Sequence, residues 1–388
     1  MMGGTARTVL AAHSGTGLFG ADRMLLESVI GLREAGCRVV IALPATGPLS
    51  VELERIGAEV EVIGMLVLSK QLLRPRSWPT LARRSLLGLP RIWRVMGRVR
   101  PDVVYVSTMV IPQWPLVARS RGIRSISHIH EAERSGSRWV RRLMYLPHLA
   151  SQRTLVTSRF SLETIRRVLP ALARRAEIVS NGIVSPHEPT LPREPLESPL
   201  RILYMGHLSP RTGADLGLEA ATLLQQSGRQ VELTVLGSPA EGDEGFAQQL
   251  RDQAANGDVE VHFAGFHRDV WPFLARADVL LAPSRFDEPF GNSAIEAILA
   301  LRPVIASNSS GLKEAAGGYR TTFFVPPGDA RAIADALEAV ASSWSSIIRS
   351  LSISRQEALR RHDHATYRAT IARACRADGR PDKGQHSL

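Results

Sequence analysis

The chain is poor in cysteine, in lysine and in aromatic side chains. Its 388 residues include 2 cysteines, Cys37 and Cys375, whose wide separation predicts no disulfide framework and a reducing compartment such as the cytoplasm. An aromatic content of 5% offers few surfaces on which bases stack, and no nucleic-acid-binding motif is recognisable. No run reaches the roughly 18 apolar residues of a membrane-spanning helix. We therefore expect a globular protein that acts in the cytoplasm and binds no nucleic acid.

Positive charge is concentrated in the first half of the chain. Residues 1–187 contain 27 Lys and Arg against 12 Asp and Glu, whereas residues 188–388 contain 21 against 25. No acidic residue occurs between Glu61 and Asp102, where arginines alternate with leucines and two tryptophans. This basic amphipathic segment, 70–100, predicts either contact with an anionic membrane surface or a helix packed on the first sheet. Both alternatives remain open, and Pro79 and Pro90 are expected to interrupt the helix.

Two series of short apolar runs alternate with helical segments, which predicts two parallel, doubly wound α/β sheets. A proline-rich stretch without apolar periodicity separates the series. We predict domains at 1–184 and 200–360, a linker at 185–199, a terminal helix at 361–376 that crosses back to the first domain, and a disordered tail at 377–388. The predicted strands are 8–12, 39–43, 103–107, 123–129, 154–158 and 177–183 in the first series, and 201–205, 231–236, 259–263, 279–282, 304–306 and 322–325 in the second.

The loop after the first predicted strand contains a complete G-x-G-x-x-G, formed by Gly15, Gly17 and Gly20. In dinucleotide-binding folds this spacing is accompanied by a carboxylate at the end of the second strand. Here residues 39–43 are followed by Pro44-Ala45-Thr46, without a carboxylate. The pattern therefore disfavours NAD, and the alternative is a tight turn that needs glycine for its backbone angles.

A second polar group follows the strand predicted at 123–129. His128 and His130 lie on one face of that strand beside Glu131, and a metal site would need further ligands that the sequence does not reveal. We therefore expect no metal and no cofactor, and the alternative for these histidines is a polar group satisfied at a strand end.

Two carboxylates eight positions apart mark the second domain. Glu288 lies in the loop after the strand predicted at 279–282, and Glu296 lies in the first turns of the following helix. Ligands of open α/β sheets bind outside the carboxyl ends of the strands, and the backbone N–H groups at residues 291–293 favour a phosphate. The alternative is that Glu288 caps a helix and Glu296 is a solvated surface residue.

This stretch resembles the motif of the family-4, group 1 retaining glycosyltransferases, which is Glu, seven residues, Glu around Glu-Pro-Phe-Gly. The resemblance implies the GT-B fold, with two Rossmann-like doubly wound domains facing across a cleft. It also implies roles in donor binding or catalysis. Those roles place Glu288 and His130 at the donor sugar, Gly291, Asn292 and Ser293 along sugar and phosphate, and Glu296 on the ribose hydroxyls. They also place Gly206 near the phosphates, and Gly20, in a loop whose Gly20-Ala21-Asp22 matches the family, near the donor phosphate or the acceptor.

The chain departs from the family pattern in the loop at 206–213. The family has Gly-Arg-Leu and then Lys-Gly there, and these cations neutralise the leaving nucleoside diphosphate, whereas this chain has His207 and Thr212. Fixed cations stabilise charge that develops in a transition state, so both replacements weaken that effect. We expect Arg211 to supply one charge, His207 a hydrogen bond, and the Thr212 hydroxyl a further donor.

The sequence thus predicts a retaining glycosyltransferase that moves a sugar from a nucleotide-sugar donor to an acceptor hydroxyl. The basic segment suggests a lipid-linked or glycan acceptor in envelope, exopolysaccharide or glycolipid assembly, on the inner face of the cell membrane. The alternative is a non-catalytic nucleotide-sugar-binding homologue, the partner subunit of another transferase, that has lost the cation pair.

Overall fold

The computed structural model describes residues 6–69, 72, 75–132, 137–239 and 242–376. The chain divides into two compact units. Unit 1 contains the described residues up to Gly182 together with those from His364 onward, and unit 2 is Ile183–Asp363. The segment predicted as a linker, 185–199, therefore belongs to unit 2, and the tail predicted at 377–388 lies outside the described residues.

Unit 1 is built on a parallel sheet of seven strands in the order β3-β2-β1-β4-β5-β6-β7. The strands are β1 Thr8–Ala12, β2 Arg38–Leu43, β3 Glu59–Val62, β4 Val103–Val106, β5 Arg124–Ile129, β6 Arg153–Val156 and β7 Ala176–Ile178. The helices between them are α1 Gly20–Glu34, α2 Pro48–Arg55, α3 Trp78–Val99, α4 Gln113–Ser120, α5 Arg138–Tyr145, α6 Arg159–Val168 and α7 Pro170–Ala173, with 3-10 turns at Pro75–Ser77 and Leu146–Ala150.

Unit 2 repeats the plan with a parallel sheet of six strands in the order β10-β9-β8-β11-β12-β13. These strands are β8 Leu200–Met205, β9 Val231–Leu236, β10 Glu260–Gly265, β11 Val279–Ala282, β12 Val304–Ser307 and β13 Thr322–Val325. The helices are α8 Ala214–Gln226, α9 Glu244–Ala255, α10 Trp271–Arg276, α11 Asn292–Leu299, α12 Ser310–Ala316, α13 Ala330–Ser342 and α14 Trp344–Arg361.

The strand order of each sheet reverses beside its first strand. In unit 1, β1 pairs with β2 on one side and with β4 on the other, and in unit 2, β8 pairs with β9 and β11 in the same way. At such a switch point the loops that leave adjacent strands run in opposite directions and open a crevice at the strand carboxyl ends. The loops after β1 and β4, and those after β8 and β11, are therefore placed where each unit can bind a ligand.

Helix α3 is continuous from Trp78 to Val99, so the predicted interruption at the two prolines is wrong. Pro79 lies in the first turn, where a missing N–H breaks no intrahelical bond, and Pro90 lies on an exposed side of the helix. The strand predicted at 177–183 is shorter than expected, because β7 ends at Ile178 and Ile183 instead bridges to Asp363 within unit 2.

The segment 185–199 is held on unit 2 by arginines. Arg302 is 1% exposed, and its guanidinium donates to the carbonyl oxygens of Thr190 at 3.1 Å, Leu274 at 2.9 Å and Ala275 at 2.8 Å. Arg193, within the segment, forms an ion pair with the buried carboxylate of Asp278. Charge-assisted hydrogen bonds from these two guanidinium groups therefore hold the segment on unit 2.

The last described element is α15, His364–Arg376, which packs on α1 in unit 1. A Cβ atom at Gly31 would lie 2.6 Å from the Cβ of Arg368, so the two helices approach closely because residue 31 is glycine. Arg368 pairs with Glu27 at 2.7 Å and with Glu34 at 2.9 Å.

None of the helices in the described part of the chain is both long and apolar enough to cross a membrane.

Replacing Arg302 by methionine is expected to lower the free energy of unfolding of unit 2 by about 3 kcal/mol, because buried carbonyl oxygens lose their donor. The measurement is urea unfolding followed by tryptophan fluorescence, since Trp344 is buried in the same unit. The matched control is Arg331→Met at an exposed position of α13, which should stay within about 0.5 kcal/mol of the parent. Equal unfolding midpoints for the two variants would contradict the structural role of Arg302.

Candidate active site

In unit 2, the loop after β8 packs directly on the loop after β11. Gly213 has a φ of 75°, and a Cβ atom there would lie 2.2 Å from the carbonyl oxygen of Pro283. The backbone N–H of Arg285 donates to the carbonyl oxygen of Arg211 at 2.9 Å. Glycine is thus required at 213 for both its backbone angles and the close approach, and the two loops form one surface.

Glu288 lies half-buried on this surface. Its carboxylate accepts a hydrogen bond from the Ser284 hydroxyl at 3.1 Å, and its Oε1 lies 3.5 Å from Nη2 of Arg211. Burial raises the pKa of Glu288, while the charge of Arg211 and the bond from Ser284 act in the opposite direction. Its side chain caps neither neighbouring helix, because the N-caps of α11 and α12 are Gly291 and Ser309. The helix-cap alternative is therefore wrong.

The two arginines of these loops, Arg211 and Arg285, differ in their partners and in their exposure. Arg285 makes two hydrogen bonds to the carboxylate of Asp215, at 2.6 and 2.7 Å, so its charge is compensated. Arg211 donates to the carbonyl oxygen of Asp287 at 3.2 Å, and its side chain is 48% exposed beside Glu288. The structure therefore leaves the Arg211 guanidinium accessible to a ligand.

The two positions that depart from the family pattern, His207 and Thr212, are joined by a hydrogen bond within the loop. The Thr212 hydroxyl lies 2.6 Å from the carbonyl oxygen of His207 and 3.0 Å from that of Ser209. Tyr204 also donates to the His207 carbonyl, at 2.6 Å. A hydroxyl has one proton, so Thr212 uses its own within the loop. This differs from the expected role of Thr212 as a donor to a ligand, because that role would require the loop bond to break.

Helix α11 begins at Asn292, directly after Gly291, which has a φ of 139°. A Cβ atom at position 291 would lie 2.6 Å from Cδ1 of Leu312, so glycine allows this turn. Asn292 and Ser293 form the half-buried first turn, and Glu296 follows in the second turn with 2% exposure. The alternative of a solvated Glu296 is therefore wrong. The backbone N–H groups of the first turn and the helix dipole favour an anion at this end.

Gly206 is the first residue after β8 and lies against the loop after β9. Its N–H donates to the carbonyl oxygen of Leu236 at 3.0 Å. A Cβ atom at Gly237 would lie only 1.8 Å from the carbonyl oxygen of Gly206. The predicted site residues at 206, 207, 211 and 212 thus lie on one loop of unit 2, and those at 288, 291–293 and 296 on the next loop and helix.

In unit 1, His130 directly follows β5 and is buried. Its Nε2 lies 3.2 Å from the Ser107 hydroxyl, and its ring centroid lies 4.0 Å from that of His128. Burial lowers the pKa of His130 well below its usual range, and positive charge on His128 or His13 would lower it further. His130 is therefore a neutral imidazole, which can both donate and accept a hydrogen bond.

The other polar groups at this edge have hydrogen-bond partners within unit 1. Nδ1 of His128 lies 2.6 Å from the Tyr105 hydroxyl. The Glu131 carboxylate accepts hydrogen bonds from the Thr108 hydroxyl and, at 3.2 Å, from the backbone N–H of Met109. Within the described ranges, no three or more His, Cys, Asp or Glu side chains are grouped as metal ligands.

Sequence reasoning missed His13, which follows β1 and is buried against Asp22 of α1. Nε2 of His13 lies 2.8 Å from Oδ1 of Asp22, and Nδ1 lies 2.8 Å from the carbonyl oxygen of Ser107. Gly20, the predicted donor-binding residue of this loop, is exposed as the first residue of α1. A signal for His13 was present in the sequence, because it is a polar residue directly after the strand predicted at 8–12.

Two family models match the chain in succession. The model described as Glycosyltransferase Family 4 matches residues 20–185, and that described as Glycosyl transferases group 1 matches residues 199–343. Among curated proteins, the glycogen synthase of Mycobacterium tuberculosis is 28% identical over 317 residues, covering 78% of this chain and 73% of its own. The phosphatidyl-myo-inositol mannosyltransferase of Mycobacterium leprae is 32% identical over 176 residues, covering 44% and 45% of the two chains.

Solved structures share the fold over nearly the whole chain. The structure of Anabaena HepE in complex with UDP and glucose has a TM-score of 0.79 at 19% identity, covering 94% of this chain and 98% of HepE. The two units are therefore the two Rossmann-like domains of the GT-B fold. The matched models and the fold agree with each other and with the motif around Glu288, and the chain belongs to the family-4, group 1 glycosyltransferases.

Proposed function

We propose that the protein is a retaining glycosyltransferase that moves a sugar from a nucleotide-sugar donor to an acceptor hydroxyl. The observation that carries this proposal is the half-buried Glu288 beside the exposed guanidinium of Arg211, at the carboxyl ends of β8 and β11. The HepE complex, which contains UDP and glucose, supports a nucleotide-sugar donor. Polysaccharide-forming relatives such as the glycogen synthase support a role in glycan or glycolipid assembly.

The donor binds on unit 2 in this proposal. The backbone N–H groups of Gly291, Asn292 and Ser293 hold the sugar and phosphate at the start of α11. Glu296, buried one turn further along, accepts hydrogen bonds from the ribose hydroxyls. These bonds offset the free energy that burial of the Glu296 carboxylate costs. Glu288 lies against the sugar, and the backbone at Gly206 and Gly20 lines the phosphates or the acceptor.

Transfer with retention needs no carboxylate nucleophile. The bond from the sugar C1 to the diphosphate oxygen breaks, and a bond from C1 to the acceptor oxygen forms on the same face. The acceptor proton passes to the departing diphosphate. Negative charge therefore develops on the diphosphate while positive charge develops on the sugar ring, and fixed groups near each charge lower the barrier.

Arg211 supplies the charge that the family pattern places at positions 207 and 212. Its guanidinium is exposed on the site surface, whereas that of Arg285 is occupied by Asp215. His207 contributes a hydrogen bond, and His130 of unit 1 contacts the donor sugar as a neutral imidazole. The accessible arginine disfavours the alternative of a binding subunit without turnover.

We further propose that unit 1 contacts an anionic membrane surface. Helix α3 carries two apolar stripes: one is buried and includes Ile92 and Val95, and the other is exposed. The exposed stripe comprises Trp78, Leu86, Leu89 and Trp93, with Leu86 70% exposed. The two alternatives of the sequence analysis thus apply to different faces of one helix. Tryptophan with arginine is the composition of interfacial helices, and a lipid-linked or glycan acceptor fits this location.

The donor site is tested by thermal unfolding with UDP, GDP and ADP, their common sugar conjugates and NAD. One nucleoside diphosphate at 100 times its Kd is expected to stabilise the protein by about 2.7 kcal/mol. Glu296→Ala should lose this shift, because the ribose hydroxyls lose their acceptor, whereas Glu244→Ala on the exposed start of α9 should keep it. A shift with NAD alone, or an unchanged shift in Glu296→Ala, would contradict the proposed site.

The role of Arg211 is tested with the donor that this screen selects. Arg211→Ala is expected to lower kcat by about 100-fold, since removing one fixed hydrogen-bond donor near a developing negative charge has an effect of that size in other enzymes. The exposed control Arg331→Ala should leave kcat unchanged. Adding His207→Arg with Thr212→Lys to Arg211→Ala should restore part of the loss. A parent-like kcat for Arg211→Ala would remove Arg211 from the mechanism.

Membrane contact is tested by vesicle sedimentation. Changing the exposed residues Arg83, Arg84 and Arg94 to glutamine should weaken binding to phosphatidylglycerol vesicles, at about 1 kcal/mol per arginine near the surface. Changing Arg320, Arg331 and Arg349 of unit 2 to glutamine removes the same charge and should have little effect. Equal partitioning of both triple variants, or equal binding to phosphatidylcholine vesicles, would count against the proposal.

A further inference from the structure

The buried pair of His13 and Asp22 lies beneath the glycine-containing loop of unit 1, residues 14–19. His13 is 2% exposed and Asp22 is 7% exposed. The imidazole lies between two acceptors, because Nδ1 is 2.8 Å from the carbonyl oxygen of Ser107 and Nε2 is 2.8 Å from Oδ1 of Asp22. The pair thus joins the carboxyl ends of β1 and β4 to the first turn of α1.

The hydrogen bonds define the partner of each polar atom of the pair. A carbonyl oxygen only accepts, so Nδ1 of His13 carries a proton. The other oxygen of Asp22 accepts the backbone N–H of Phe19 at 3.1 Å, at the N-terminus of α1. Nε2 of His13 and Oδ1 of Asp22 share the remaining hydrogen bond, so each polar atom of the pair has a fixed partner.

The first two glycines of the G-x-G-x-x-G make room for this carboxylate. A Cβ atom at Gly15 would lie 1.9 Å from Oδ1 of Asp22, and one at Gly17 would lie 3.2 Å from its Oδ2. In dinucleotide-binding folds, the same loop and helix N-terminus receive a pyrophosphate. Here the first two glycines lie against a carboxylate of the chain itself, which accounts for their spacing without NAD.

Ser107 connects the pair to the proposed active site. Its carbonyl oxygen accepts from His13, and its hydroxyl lies 3.2 Å from Nε2 of His130. The titratable side chains that face His13 are Asp22 on α1 and, after β5, His130 and Glu131. One backbone residue therefore transmits the position of His13 to His130.

We propose that the hydrogen-bonded pair of His13 and Asp22 is a positioning device that fixes the glycine-containing loop and the end of β4, and thereby holds His130 through Ser107. The inference rests on the proposed function, in which His130 contacts the donor sugar. His13 and Asp22 themselves do not touch substrate. Both ring nitrogens and both carboxylate oxygens already have partners inside unit 1.

The first measurement is nitrogen-15 NMR of the histidine rings of the full-length protein at neutral pH, with assignment by His13→Gln. Nδ1 of His13 is expected to carry a proton, because its partner is the carbonyl oxygen of Ser107, which only accepts. Asp22→Asn should shift the ring signals of both His13 and His130, because the His13 ring loses its fixed acceptor at Nε2. An unprotonated Nδ1 of His13 in the parent protein would overturn the proposal, since the ring would then not be bonded to Ser107.

The second measurement is kinetic. Asp22→Asn is expected to lower kcat by about 100-fold with little change in the donor KM, since a small displacement of a positioned group has that effect on rate while the donor is bound by unit 2. The matched control is Asp102→Asn, which removes a carboxylate that accepts the Thr8 N–H at 2.7 Å, at the opposite end of β1. This control should keep kcat within about twofold.

Ser107→Ala separates positioning from folding. It removes the hydroxyl that reaches His130 and keeps the carbonyl oxygen that accepts from His13, so kcat should fall while the ring signals of His13 stay as in the parent. A parent-like kcat for both Asp22→Asn and Ser107→Ala would overturn the proposal. If no donor is turned over, the proposed function fails, but the inference is still decided by the ring signals of His130. Asp22→Asn must shift those signals more than Asp102→Asn, and equal shifts would overturn it.

Discussion

Parallel strands that are buried on both faces leave little room for charged side chains, and the candidate site depends on this constraint. Every residue of β4 is buried, and Ser107 follows it directly. His13 and His130 follow β1 and β5 in the same way. In unit 2, the loops with Arg211 and Glu288 follow β8 and β11. The apolar cores of both sheets therefore gather the chemistry at the carboxyl ends of the central strands.

Charge at these edges is mostly compensated within each unit. Arg285 is paired with Asp215, so this pair presents no net charge to a ligand, and the carboxylate of Asp22 is hydrogen-bonded to His13. Arg211 also lies within ion-pair distance of a carboxylate, that of Glu288 at 3.5 Å, but its side chain is 48% exposed, so a ligand can reach the guanidinium. The loss of the family cations at 207 and 212 thus leaves a site with one accessible cation on the loop after β8, rather than an uncharged loop.

Glycine permits a different close approach at each of three positions. At Gly213 it allows one loop backbone to contact another, at Gly15 it leaves room for a carboxylate, and at Gly31 it allows α15 to approach α1. The same residue type that suggests a nucleotide fingerprint therefore serves packing in three unrelated ways. A glycine pattern indicates close approach, but the group that approaches is defined only by the fold.

The sequence alone determined most strands, the two sheets and the carboxylate pair, because apolar runs and the Glu-Pro-Phe-Gly stretch are local patterns. It missed β3, Glu59–Val62, because that strand has no apolar run. It did not determine the pairing of His13 with Asp22, since the two lie on opposite sides of a loop and no spacing rule joins them. It also predicted a linker at 185–199, whereas Arg302 and Asp278, distant in sequence, bind that segment to unit 2. Local composition defines which elements form; only tertiary contacts decide which buried charges meet, because a buried charge must be paired wherever its partner lies in the sequence.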